Sequence, residues 1–261
     1  MDGLIVTRAD GVVTLTIDRP ARKNAITADM WRGLVEIFDD IATRGDDRVL
    51  VITGAGDAFC SGADLTGAAS RDAPTGAGAS VASMRVVGRA ALRLHELPLP
   101  TIAAVNGVAA GAGCNLALGC DLIVASDRAR FTEIFAKRGL ALDFGGSWVL
   151  PRLVGLHRAK ELAFLAEIID AAEAERIGLV NRVVPHNELY ASVAALAARL
   201  SAMPPLQLAV IKRQLNDGLS NTMAEAIESE NVAQALMFSS RDTAEAMIAF
   251  MEKRDPSFTG E

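Results

Sequence analysis

The sequence predicts an α/β fold. Three observations lead there: apolar strands alternate with helical stretches through the first half, helices fill the second half, and strand pairs followed by a helix recur loosely. Residues 4–17 alternate around Asp10-Gly11, which reads as a β-hairpin whose glycine permits a positive φ at the turn. Thr27 stands where an N-cap belongs, and Met30, Leu34, Ile37, Phe38 and Ile41 recur at helical spacing to about Ala42. Residues 49–53 form an unbroken apolar run ending in Thr53, the signature of a buried strand. Residues 54–80 are rich in Gly and Ala, and the second half, 66–80, has almost nothing to bury and is expected to be a mobile loop.

A helix is expected over 81–96, ending before Pro98 and Pro100. Then come a strand at 101–105, a tight turn at Asn106-Gly107, a small-residue helix at 111–119 and a strand at 122–125. Past residue 130 the pattern is mostly helical, over about 147–152, 157–166, 171–177, 188–202, 205–217 and 222–251, with a last short strand at 181–184. Pro204-Pro205 is the one plausible boundary, which divides a core of residues 1–203 from a helical C-terminal region, 204–261.

Composition narrows the function. Half of the 261 residues are hydrophobic, enough for a sizeable core. The net charge is −6, from 32 acids against 26 bases, which argues against nucleic acid as the main partner. The three cysteines (Cys60, Cys114, Cys120) are odd in number and form no C-x-x-C pair, so a reducing compartment is expected. The N-terminus lacks the pattern of a secretory signal, and no run reaches the roughly 18 apolar residues that span a bilayer. A cytoplasmic protein with no membrane partner is the expectation.

Several familiar chemistries fail on spacing. His95, His157 and His186 are far apart in sequence, so solvated or capping roles are expected of them rather than metal ligation. Gly54-Ala-Gly56 follows a strand, but a dinucleotide fingerprint would need its third glycine at Phe59. Gly107 to Gly113 lacks the Gly-Lys-Ser/Thr of a P-loop, and Ser61 lies in Cys-Ser-Gly rather than G-x-S-x-G. Two segments remain: 59–65 (FCSGADL) and 104–118 (AVNGVAAGAGCNLAL). In the second, small residues at 111–113 let a ligand approach the backbone, and the first N–H groups of a helix have no intrahelical partner. If Ala63 lies beside this turn, its N–H and that of Ala112 can converge on one oxygen and stabilise an oxyanion. The alternative is that these glycines serve only tight strand–helix packing.

Taken together the segments resemble the crotonase superfamily (enoyl-CoA hydratase/isomerase). The matching stretches, in order, are 19–25 (RPARKNA), 57–65 (DAFCSGADL), 103–115 (AAVNGVAAGAGCN), 120–125 (CDLIVA), 139–155 (GLALDFGGSWVLPRLVG), 171–181 (AAEAERIGLVN) and 250–258 (FMEKRDPSF). The resemblance implies a spiral of ββα units, C-terminal helices that build a homotrimer or a hexamer, and an acyl-CoA thioester substrate, with no metal or redox cofactor. It places the oxyanion hole on Ala63 and Ala112, the second usually Gly in the family. It places Lys23, Ala25, Ser61, Asp64 and Leu65 against adenine and pantetheine, and Phe250 and Lys253 over the nucleotide.

The departures decide the chemistry. Hydratases of this family use two glutamates; here those positions hold Asn115 and Phe135. Asn orients a water or a thioester but takes no proton, and Phe does neither. Glu133 is near, but its two-residue shift is expected to point it elsewhere. Asp143 sits where a subgroup of enoyl-CoA isomerases carries its acid/base carboxylate. One carboxylate suffices for a 1,3-proton shift, and the neighbours Leu142, Phe144 and Trp148 are expected to raise its pKa by desolvation. With Asn115, Phe135 and Trp148 shaping the acyl pocket, the expectation is an enoyl-CoA isomerase. Alternatives are hydration by a water held on Asn115 and Asp143, a CoA-thioester-binding protein without catalysis, and Asp143 as a mere turn or capping residue.

Overall fold

The computed structural model describes residues 2–67 and 77–261. The mobile loop expected over 66–80 falls largely on 68–76, outside the described residues; helix α2 (Ala77–Glu96) begins four residues earlier than expected.

Strands β1 (Leu4–Ala9) and β2 (Val12–Ile17) form the hairpin, with Asp10 and Gly11 both at positive φ, as a two-residue turn of the primed type requires. Helix α1 (Ala28–Thr43) starts where Thr27 accepts a hydrogen bond from the Met30 N–H (3.2 Å). Three strand pairs then repeat one device. β3 (Val49–Gly54), β5 (Thr101–Val105) and β7 (Leu122–Ser126) lie parallel in a six-stranded sheet of order β1-β2-β3-β5-β7-β10. Their successors β4 (Ala58–Cys60), β6 (Val108–Ala110) and β8 (Arg130–Thr132) lie parallel in a four-stranded sheet, closed by β9 (Ile169–Asp170). Each pair thus turns a corner between two sheets, and the helix after it carries the chain to the next pair. This is the spiral of ββα units. At the corner, Asn106 Nδ2 donates to the carbonyls of Gly54 and Gly56 (both 2.9 Å), stitching two successive corners together.

Four short strands (β4, β6, β8, β9) were not expected. Three residues or fewer give too little alternation to register as a strand. Helices α3 (Ala112–Leu118), α4 (Gly146–Val154), α5 (Leu156–Leu165), α6 (Ala171–Arg176) and α7 (Leu189–Ser201), with β10 (Arg182–Val184), match expectation to within a few residues. After α8 (Pro205–Gly218), the expected 222–251 helix is two, α9 (Met223–Met237) and α10 (Arg241–Glu252). Ser240 breaks it: its Oγ accepts from the Thr243 N–H (3.1 Å) and caps a new helix.

All six residues of β3 are buried because both faces of the large sheet are covered. Leu50 and Ile52 face the main core with Leu34, Phe38, Phe59 and Leu94, while Val49 and Val51 face Leu189 and Val193 of α7. Among the described residues no single helix is long and apolar enough to cross a membrane.

Candidate functional site

The two small-residue segments converge. Ala63 forms an isolated parallel bridge with Ile26. The Ile26 N–H donates to the Gly62 carbonyl and the Asp64 N–H donates to the Ile26 carbonyl, both at 2.8 Å. In that pattern the N–H of Ala63 points away from Ile26. On its other side runs the start of α3: a Cβ built on Gly62 (φ +97°) would stand 2.9 Å from the Ala110 oxygen and 3.6 Å from the Ala112 nitrogen. Ala112 is the first residue of α3, so its N–H has no intrahelical partner. Gly113 makes the approach possible. A Cβ there would lie 2.2 Å from the Cys60 oxygen, so only glycine lets α3 rest directly on the backbone of β4. The close packing brings the Ala63 and Ala112 segments side by side. Ala63 itself is exposed, whereas Ala112 is buried. Phe135 lies against the same turn, its ring 3.6 Å from where a Cβ on Gly111 would be.

Asn115, one turn into α3, is 1% exposed. Its Nδ2 donates to the backbone carbonyl of Asp143 (3.0 Å) and approaches Glu133 Oε2 at 3.4 Å. Asp143 does not cap a helix: α4 has Gly145 at its N-cap position and no side-chain cap. The Asp143 Oδ1 is buried without a partner. Burial raises its carboxyl to about 6, as expected from its apolar neighbours. One residue on, Phe144 tilts against Trp31 (ring centroids 5.4 Å apart). A cavity of about 930 Å³ opens beside it, lined by Phe144, Trp148 and Val149 and, from α2, by Gly88, Leu92 and His95. Trp148 stands edge-on to His95 and carries the Arg152 guanidinium 4.0 Å above its ring. His95 is thus half-buried in a cavity wall rather than solvated or capping.

Glu133 lies just past the end of β8 and turns inward beside Cys114 and Asn115, while Phe135, two residues on, lies against Gly111. Glu133 is 3% exposed, and burial raises its carboxyl to about 7, with the nearby Asp143 charge adding to the rise and hydrogen bonds with Cys114 and Asn115 opposing it. The folded state therefore holds this proton between about pH 4.5 and 7 while the unfolded chain does not. Stability falls with rising pH across that window and levels off above it. Glu133→Gln is expected to gain about 3 kcal/mol relative to the wild type between pH 4 and pH 8. Urea unfolding of both proteins at the two pH values checks this; an equal gap at both would show that the carboxyl titrates as if in water.

The remaining predicted residues form a polar rim. Ser61 N–H donates to the Lys23 carbonyl (2.9 Å), which brings 22–25 and 61–65 together. Lys23 Nζ pairs with Asp57 (2.5 Å), and half-buried Ala25 offers its carbonyl to Arg19 (2.6 Å). Asp64 is held down to about 2 by the Thr66 hydroxyl and amide and by Arg19. Leu65 is 49% exposed beside it. Phe250 and Lys253 are exposed at the end of α10. Among the described residues no three His, Cys, Asp or Glu side chains gather to hold a metal ion.

The sequence matches the enoyl-CoA hydratase/isomerase family over residues 7–261. The chain belongs to that family. One relative is the 1,2-epoxyphenylacetyl-CoA isomerase of Escherichia coli (strain K12), 39% identical over 253 residues covering 96% of this chain and 95% of that protein. Another is the crotonyl-CoA hydratase of Syntrophomonas wolfei subsp. wolfei, 37% identical over 262 residues, 98% of each chain. The crystal structure of an enoyl-CoA hydratase from Mycobacterium smegmatis superimposes with a TM-score of 0.92 at 32% identity, covering 99% of each chain. This enoyl-CoA hydratase/isomerase is thus an enzyme with the crotonase fold, acting on acyl-CoA thioesters.

Proposed function

We propose that this enzyme shifts a double bond in an enoyl-CoA by an enolate-stabilised proton transfer. The observation that carries the reading is the tie made by Asn115. Its amide holds the Asp143 backbone from the first turn of the helix that begins at Ala112, so carboxylate and oxyanion donor share one rigid support. With a 3-enoyl-CoA, Asp143 takes a proton from the α carbon. The thioester oxygen, now enolate, rests between the N–H groups of Ala63 and Ala112. The protonated Asp143 then delivers the proton to the γ carbon and is restored as carboxylate. Asn115, Phe135 and Trp148 shape the acyl side. Lys23, Ala25, Ser61, Asp64 and Leu65 line the path for the coenzyme A portion.

The test is conversion of 3-hexenoyl-CoA in ¹⁸O-labelled water. The expected product is 2-hexenoyl-CoA free of label; an inert 3-hexenoyl-CoA, with labelled 3-hydroxyhexanoyl-CoA formed when 2-hexenoyl-CoA is supplied instead, would replace isomerisation with hydration.

We also propose that the chain assembles as a trimer or a pair of trimers through its C-terminal helices. The apolar side chains these helices leave in solvent support it, among them Met223 (80% exposed) and Phe250 (83%), and a neighbouring copy is the natural cover. Phe250 and Lys253 then reach a nucleotide. Light scattering should give three or six times the 27.4 kDa chain mass; a monomer would refute the assembly.

A further inference from the structure

Beneath the proposed site lies a cluster of buried polar atoms with too few partners. Glu133 Oε1, Asn115 Oδ1 and Asp143 Oδ1 are all buried and unpaired. They belong to three segments that meet through one amide: both hydrogens of Asn115 Nδ2 are directed at acceptors, one at the Asp143 carbonyl and one at Glu133 Oε2. The geometry points to Glu133 as a positioning residue that holds Asp143 in register with the oxyanion donors by anchoring Asn115. This rests on the assignment of Asp143 as the base.

Burial of an incompletely satisfied carboxylate costs stability, so a purely structural requirement would favour an apolar side chain here. The surroundings would accept one. Glu133 shares a small enclosed space with Phe131, Leu150, Leu162, Ile169 and Leu179. The polar or titratable groups facing it are the Cys114 thiol and Asn115 from α3 and Asp143 from the turn before α4. What the carboxylate supplies that a leucine lacks is an acceptor for the second Asn115 hydrogen. Without it the amide loses one of its two acceptors, Asn115 holds the Asp143 carbonyl (which also accepts from the Gly146 N–H at 2.9 Å) less firmly, and the base shifts from the α carbon.

Three variants of the full chain decide the matter, assayed with 3-hexenoyl-CoA from pH 5 to 9 alongside thermal melts. Glu133→Leu is expected to melt higher than the wild type at pH 8 yet to lose about 10- to 100-fold in kcat with KM little changed. Glu133→Gln, which still offers an oxygen to Asn115, is expected to recover most of kcat with KM unchanged. Wild-type kcat in Glu133→Leu, or a loss that Gln does not recover, overturns the inference. Asp143→Asn, run in parallel, separates the two failures: if it turns over like the wild type, the reading beneath has failed and the inference falls with it.

Discussion

Asp143→Asn is expected to lower turnover of 3-hexenoyl-CoA by about 10³-fold while changing KM by less than about threefold. The substitution keeps the shape and removes only the ability to take a proton. It breaks no hydrogen bond of the buried Oδ1, which makes none, and it leaves the carbonyl that binds Asn115 in place. The variant should therefore fold and bind coenzyme A thioesters as before. The wild-type rate should climb through about pH 6, where the buried carboxyl ionises. Below that pH the base already carries a proton and cannot abstract one; well above it the rate should reach a plateau. The residual rate of the variant should lack this limb. Steady-state rates of both proteins from pH 5 to 8 test both statements, and undiminished turnover would remove Asp143 from the mechanism.

The value near 6 has a single physical source: the low-dielectric surroundings of Asp143 favour its neutral form. For the base we propose, that value is apt: ionised enough to accept a proton and basic enough to pull one. The enolate carries the other half of the work. An α-proton of a thioester is far too weakly acidic for a carboxylate unless the developing oxyanion meets donors already in position. In the proposed mechanism Gly113 matters as much as Asp143, since its missing side chain sets how closely α3 lies on β4.

Much of this was legible in the sequence, for identifiable reasons. Strands such as β3 and β5 are long enough to show a continuous apolar run, and Thr27 declares the start of α1 with its own hydroxyl. The ordered motifs singled out Ala63, Ala112, Asn115 and Asp143, which the fold brings onto neighbouring segments. The short strands β4, β6 and β8 were illegible because three residues carry no period, although they are the ones that turn the corners. The break at Ser240 is a local capping event inside a pattern that reads as one helix. The burial of Glu133 was not legible because it lies past the last paired residue of β8, where no strand period applies.

Ala112→Pro is expected to lower kcat by about 10²- to 10³-fold while leaving the fold intact. A backbone donor cannot be deleted by changing a side chain, but proline deletes it directly by having no N–H. Elsewhere in a helix the change would be ruinous. At the first helical position it is well tolerated, because that N–H has no intrahelical partner and the ring's fixed φ is already helical. Gly111 before it also suits proline, lying at φ 53°, ψ −127°, outside the helical region that a following proline forbids. The control is Ala112→Gly, which keeps the N–H and is expected to turn over near the wild-type rate. Circular dichroism and melting temperature should match across the three proteins, so that a fall confined to the proline variant isolates one hydrogen bond to the enolate. A folded proline variant with wild-type kcat would place the thioester oxygen elsewhere.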